Sequence, residues 1–158
     1  LIMVAHHEKH EGLIDSDCYE EIMSICPALV NKELLGTIRD VGAENVYVVA
    51  NGDTLFQREM IRRSIGEHFV RETIVVPLSK KEAVEDICMR FQSQSIIFVE
   101  NKMTILDDID TEVYKNLKKI LFDEQGLEHL VDEIKSSKEE EVAREMKQTN
   151  QNQEPKMR

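Results

Sequence analysis

N-V-Y-V-V-A-N-G-D-T-L-F, residues 45 to 56, holds the decisive pattern of this chain. Its first half, Val46 to Ala50, is a run of apolar and β-branched residues, as a strand covered on both faces requires. Asn51-Gly52-Asp53 interrupts the run with turn residues. An apolar-periodic segment follows at once: Asp53 or Thr54 can cap a helix whose inner face is Leu55, Phe56, Met60 and Ile61. A strand that passes directly into a helix is half of a parallel crossover, and ligands of open α/β sheets bind where such crossovers turn, at the carboxyl edge.

The same alternation extends in both directions. Upstream, Leu1 to Ala5 reads as a short buried strand, interrupted by the charge and imidazole of residues 6 to 11. Gly12 to Asp17 reads as a loop that caps a helix over Tyr19 to Ile25, closed by Pro27. Asn31 caps the next helix, whose Leu34, Leu35, Ile38 and Val41 form one stripe of a 3.6-residue period, ended by Gly42. Downstream, Gly66 stops the helix after Asn51-Gly52-Asp53, and Thr73 to Val76, bounded by Pro77, is a strand. Ser79-Lys80-Lys81-Glu82 has capping-box spacing ahead of a helix with Ala83, Val84, Ile87, Cys88 and Phe91 inward. Ser95 to Val99 is the clearest strand. A helix is expected within Leu106 to Leu117, a last strand over Ile120 to Phe122, and a final helix marked by Leu127, Leu130, Val131 and Ile134. The expected fold class is therefore α/β, a three-layer Rossmann-like domain with a mostly parallel sheet over residues 1 to 134. Residues 1 to 30 are the least defined part, a remnant of a first strand or of a cap. Residues 135 to 158 form a polar tail, a helical extension or disordered, because they have too little apolar surface to offset their ordering entropy.

Composition bounds the partners. The chain has 158 residues, 41% apolar content and a net charge of −11. One domain with a real core is expected at this size. The acidity argues against nucleic acid and against an anionic membrane, since phosphate contacts need clustered Lys and Arg. No apolar run is long enough to span a bilayer, and three cysteines without C-x-x-C spacing fit reduced thiols, so a cytoplasmic protein is expected. The chain opens on Leu1 rather than Met, as a fragment or a trimmed product does.

Three strand ends carry polar residues into one crevice: Asn51, Gly52 and Asp53 on the first, Ser79, Lys80 and Lys81 on the second, Glu100, Asn101 and Lys102 on the third. A lysine at a helix amino terminus opposes the local partial positive charge. It fits an anion held between amine and free N–H groups, or a solvent-exposed side chain for which the dipole costs only a few tenths of a kcal/mol.

The runs V-Y-V-V-A-N-G-D-T-L-F-Q-R-E-M-I-R-R-S-I-G-E-H-F, I-V-V-P-L-S-K-K-E-A-V-E-D-I and S-I-I-F-V-E-N-K-M-T-I-L-D-D-I, in that order and spacing, resemble the carboxyl half of the haloacid dehalogenase-like core. The likeness covers roughly residues 31 to 134. It implies phosphoryl-transfer chemistry: an aspartate nucleophile on the first strand, a second aspartate two positions on as acid and base, a Ser or Thr and a lysine on the phosphate, and acidic residues after the fourth strand that help bind Mg²⁺. Carried onto this chain, Asn51, Gly52 and Lys80 or Lys81 are the phosphate-binding candidates. Glu100, Asn101, Asp107 and Asp108 are the metal candidates.

The departures bear on chemistry. Ala50 stands where the family has a hydroxyl, and Glu100-Asn101 stands where two acids are common. No Asp-x-Asp-x-Thr follows an apolar strand. Aligning E-G-L-I-D-S-D with the residues after the family's nucleophile puts Lys9 on the nucleophile and Glu11 on the acid/base position, and a lysine forms no acyl phosphate. The other alignment makes Asp15 and Asp17 the catalytic pair. Either the first strand lies upstream of Leu1, or the fold is kept and the chemistry lost.

A rival reading rests on His6-His7-Glu8-Lys9-His10-Glu11-Gly12, which resembles the H-H-E-x-x-D-G segment of HD-type metal phosphohydrolases, all-helical enzymes. Its plain alternative is an exposed polar loop. The leading expectation is a haloacid dehalogenase-like phosphohydrolase domain with impaired catalysis that keeps a small phosphorylated ligand. A non-catalytic binding or scaffolding module with a protein partner is the alternative.

Overall fold

Five strands lie side by side, all parallel, in the computed structural model, which describes residues 1–7, 20, 21, 23, 24 and 31–151, and only the backbone of residues 2 and 4–7. They are β1 (Ile2–His7), β2 (Val46–Asn51), β3 (Glu72–Val76), β4 (Ile96–Glu100) and β5 (Leu117–Leu121). The helices are α1 (Lys32–Val41), α2 (Thr54–Ser64), α3 (Lys81–Arg90), α4 (Met103–Asp107) and α5 (Gly126–Gln151). The order across the sheet is β3-β2-β1-β4-β5. The direction of winding reverses between β1 and β4, the topological switch point at which such sheets bind ligands.

Strand periodicity distributes the core between two faces. Tyr47, Val49, Ile96 and Phe98 pack with Val84, Ile87 and Cys88 of α3 and Leu106 of α4. The alternate residues Val46, Ile97 and Val99 pack with Ile38 and Val41 of α1 and Leu130 and Ile134 of α5, while Val48 and Ala50 pack with Ile61 of α2. Helices therefore cover both faces of an α/β Rossmann-like sheet. Full burial of a side chain such as Phe98 stabilises by roughly 1.5–3 kcal/mol.

Several local expectations hold in detail. The Asn31 side chain accepts from the amides of Glu33 and Leu34, and Asp53 accepts from that of Phe56, so both helices start where the capping residues put them. Gly42 and Gly66, at the ends of α1 and α2, have positive φ.

Others are corrected. β1 continues through His6 and His7, paired with Val49 and Ala50, instead of stopping at Ala5. The ladder to β4 ends at Ala5, and main-chain pairing with β2 carries the strand two residues past the apolar run. Ile2–His7 is the central strand of the sheet among the described residues. Leu55 is 80% exposed and Gln57 is buried in its place, since α2 turns Gln57, Met60 and Ile61 inward. The helix sought within 106 to 117 is Met103–Asp107, because Leu117 already pairs with Ile96 as the start of β5. Beyond Ile134, α5 stays helical to Gln151, with Ser137 still buried and the last turns exposed. Of the helix expected over residues 19 to 25, Glu20, Glu21, Met23 and Ser24 are helical, and Met23 is buried with Met60 and Phe56.

Candidate functional site at the carboxyl edge

The two-residue period that builds the core also builds the site. Asn51 follows Tyr47 and Val49, and Glu100 follows Ile96 and Phe98, so both belong to the face covered by α3. Lys80 is the residue from which α3 starts. Its Nζ lies 3.0 Å from Glu100 Oε2, and both side chains are buried, 1% and 0% exposed. Glu100 Oε1 accepts from the amides of Asn101 (2.9 Å) and Lys102 (3.1 Å). Both oxygens of this carboxylate are therefore engaged within the chain.

The loop that delivers Lys80 is tied to β2. Asn51 Nδ2 donates to the Leu78 carbonyl at 2.5 Å, and the Gly52 amide donates to the Val76 carbonyl at 3.2 Å. Gly52 has φ +125°, a conformation that favours glycine, and a Cβ there would come 3.2 Å from Nε2 of the buried Gln57. Asn51, Gly52, Lys80 and Glu100 are thus gathered at one edge. The mismatch of a lysine at a helix amino terminus is met by Glu100, an anion of the chain itself.

Lys81 goes the other way: it is exposed, with Nζ 3.9 Å from Glu85 Oε1 across one helical turn. The expected capping box is replaced by a simpler arrangement. Lys80 occupies the cap position with helical dihedrals and no side-chain cap bond, while Ser79 Oγ accepts from the Lys81 amide. A lysine stem directed down to Glu100 leaves its own backbone in the helical region.

Asp107 and Asp108, at the far end of α4, are exposed, and so is Asn101. Among the described residues no three His, Cys, Asp or Glu side chains gather as metal ligands. Asp15, Asp17, His10 and Glu11 lie outside the described residues. The HD-type reading is overturned by the fold, because those enzymes are all-helical and this chain is a parallel sheet with helices on both faces. Cys88 is no nucleophile candidate: burial, with a smaller contribution from Glu85, pushes its thiol up to about 11.

No family model matches the sequence, and no curated protein does. A solved structure described as a haloacid dehalogenase-like hydrolase, from Burkholderia xenovorans LB400, superposes with a TM-score of 0.50 at 16% identity. The match covers 72% of this chain and 59% of that one, so the chain spans less than two thirds of that protein's length. What the two share is the fold, an α/β Rossmann-like sheet. Asn51 on β2 and Glu100 on β4 flank the end of β1, since His7 pairs with Ala50 and Ala5 with Val99.

The Mg²⁺ that the haloacid dehalogenase-like resemblance implies finds a poor donor set among the described residues. Glu100 is engaged at both oxygens, one of them by an ammonium, and Asn101 offers a neutral amide where a second carboxylate would be needed to favour a hard cation. Among the described residues no helix is long and apolar enough to cross a membrane.

What sequence reasoning missed was the Lys80–Glu100 bond and the part of β1 in the site. Half of the signal for the first was present: Glu100 is in phase with Ile96 and Phe98, but nothing local marks Lys80 rather than Lys81 as its partner. The signal for the second was the apolar run that opens the chain, whose true end lay among histidines.

Proposed function

We propose that this chain is a haloacid dehalogenase-like phosphohydrolase-type domain with impaired catalysis, which holds a phosphate-bearing small ligand at the carboxyl edge. One observation carries the reading: β1, the central strand of the sheet among the described residues and the counterpart of the strand on which the family bears its aspartate nucleophile, is Ile-Met-Val-Ala-His-His, with no carboxylate. Without that carboxylate no acyl phosphate forms on the strand. Ala50, opposite His7, adds no hydroxyl, and Glu100 is tied to Lys80. Support for a retained anion is the amino terminus of α3, whose first amides lie at the carboxyl edge of the sheet.

The test is a phosphatase screen of the chain with Mg²⁺, together with phosphate titration followed by melting temperature and by the amide signals of Gly52 and residues 79 to 81. The expected result is no turnover and saturable shifts at those amides. Turnover abolished by Glu8→Gln, Asp15→Asn or Asp17→Asn would overturn the impaired reading.

A second reading, a non-catalytic module for a protein partner, is favoured by a different observation. Leu55, Leu78 and Met103, on the segments that follow β2, β3 and β4, are 80%, 88% and 51% exposed around the same edge. Apolar side chains grouped at one rim fit a partner's apolar surface. Absence of any phosphate response, with a partner recovered by the wild type and lost by Leu78→Glu, selects this reading.

A further inference from the structure

The two edges of the sheet are finished differently. On β5, Lys118 and Lys119 sit inside the strand, and both are engaged: Lys118 Nζ lies 2.5 Å from Glu133 on α5, and Lys119 Nζ donates to the carbonyls of Leu106 and Ile109 at 2.6 and 2.8 Å. Lysines within an edge strand discourage pairing with another chain. β3 is less protected: its one charged residue is Glu72, at its first position. Its sequence, Glu-Thr-Ile-Val-Val, has no Lys, Pro or Gly, its register with β2 is unbroken, and among the described residues no strand pairs on its other side.

Beside this open edge, a groove of about 220 Å³ runs between α2 and β3, with Arg58, Arg62, Arg71, Val70 and Thr73 along it. Glu67 and Glu72 also line it, and Glu72 is bonded by Arg90 at 3.3 Å. Arg62 is bonded to Glu59. Arg58 and Arg71 have no carboxylate within ion-pair distance among the described residues. Arg71 is held over the rings of Tyr47 and Phe91, 5.8 and 5.6 Å from their centroids, with Nη1 on the Glu44 carbonyl. In a chain of net charge −11, two guanidiniums free of carboxylates beside an unpaired strand form a local exception to the overall acidity.

We propose that the open edge of β3 is a docking site for an extended acidic segment of another protein, which would add a strand to the five-stranded sheet and set its carboxylates against Arg58 and Arg71. Main-chain bonds to the edge would supply affinity, and the arginines would select for acidic side chains. A second copy of this chain fits less well: along its own β3 it brings one acid, Glu72, already bonded to Arg90.

The experiment is a fluorescence-anisotropy titration of the whole chain with labelled Glu-Val-Glu-Ile-Glu-Val. Two controls are the same peptide with Lys for Glu, and the same peptide N-methylated at alternate residues so that it forms no ladder. Saturable binding of the acidic peptide is expected, weakened by salt, by N-methylation, and about tenfold by Arg58→Glu. Arg58 is exposed, so an unchanged thermal melt of that variant shows that its fold is intact. No saturation by about 1 mM peptide, equal binding of the Lys or N-methylated peptide, or an unaltered affinity in Arg58→Glu would overturn the proposal. So would a dimer in sedimentation velocity that Ile74→Lys abolishes, which would assign the edge to a second copy.

Discussion

Lys80 with Glu100, and Glu59 with Arg62 and Arg63, are built from the same chemistry and do opposite things. The first pair is buried and links the start of α3 to the end of β4. The second cluster lies along the surface of α2, where Arg62 reaches both oxygens of Glu59 at 2.8 and 2.7 Å and Arg63 reaches one at 2.5 Å. At the surface, water competes for every partner, so loss of one bond costs little. In the interior the pair itself gains little over apolar replacements, but removal of one partner strands a charge away from water. The same contact is thus a local trim in one region and, in the other, a pair whose two halves are needed together.

That contrast would be broken most directly at Glu100. Glu100→Gln keeps an oxygen for the amides of Asn101 and Lys102 but removes the charge opposite Lys80, and should cost about 3–5 kcal/mol in denaturant unfolding. Adding Lys80→Met should recover the larger part of the loss. A single variant within about 1 kcal/mol of wild type would show that the buried pair behaves like a surface one.

Next in size, Gly52→Ala should cost about 1–3 kcal/mol, because φ +125° strains any residue with a Cβ; the melting temperature reads this out. Asn51→Ala, which removes the bond to the Leu78 carbonyl, should cost about 1 kcal/mol, again by denaturant unfolding. An unchanged stability in Asn51→Ala would mean that the loop carrying Lys80 is fixed by other contacts.

The smallest effects belong to the surface. Hydrogen bonds from Arg62, and then from Arg63, hold the Glu59 carboxyl at about 2, below its ordinary value of 4.5. Being depressed in the folded state, it adds stability above pH 4.5 that is lost as the pH falls toward 2. Solvent screening keeps that contribution small, so the sharper measurement is the side-chain carboxyl titration by NMR, which Arg62→Gln with Arg63→Gln should return toward the ordinary range. Lys81→Met should change stability by less than about 0.5 kcal/mol. A larger loss would mean that Lys81 holds more than the distant contact to Glu85.

The fold was legible because its signals are local and repeated. Asn31 and Asp53 cap helices where their side chains reach free amides, Gly42 and Gly66 end them, and Ile96 to Val99 reads as a covered strand at sight. Misreadings fell where local and tertiary demands differ. Leu55 looks like a core residue by type and spacing, yet the rotation of α2 is set by Met60 and Ile61, which leaves Leu55 in solvent and draws Gln57 in. The site was half legible. The two-residue period could place Asn51 and Glu100 on one face, but nothing local distinguishes Lys80 from Lys81, neighbours of identical chemistry.

By itself the sequence determined the α/β class, the succession of strands and helices, and the polar residues that the strand ends deliver, because each follows from periodicity and capping within a few residues. Only the tertiary structure decided that Ile2–His7 is the central strand, that Lys80 turns inward while Lys81 stays in water, and that Glu100 spends both oxygens inside the chain. The physical reason is that strand position and charge partnership depend on neighbours far away in the chain. Lys80 and Glu100 are twenty residues apart, and only the closed sheet makes them touch.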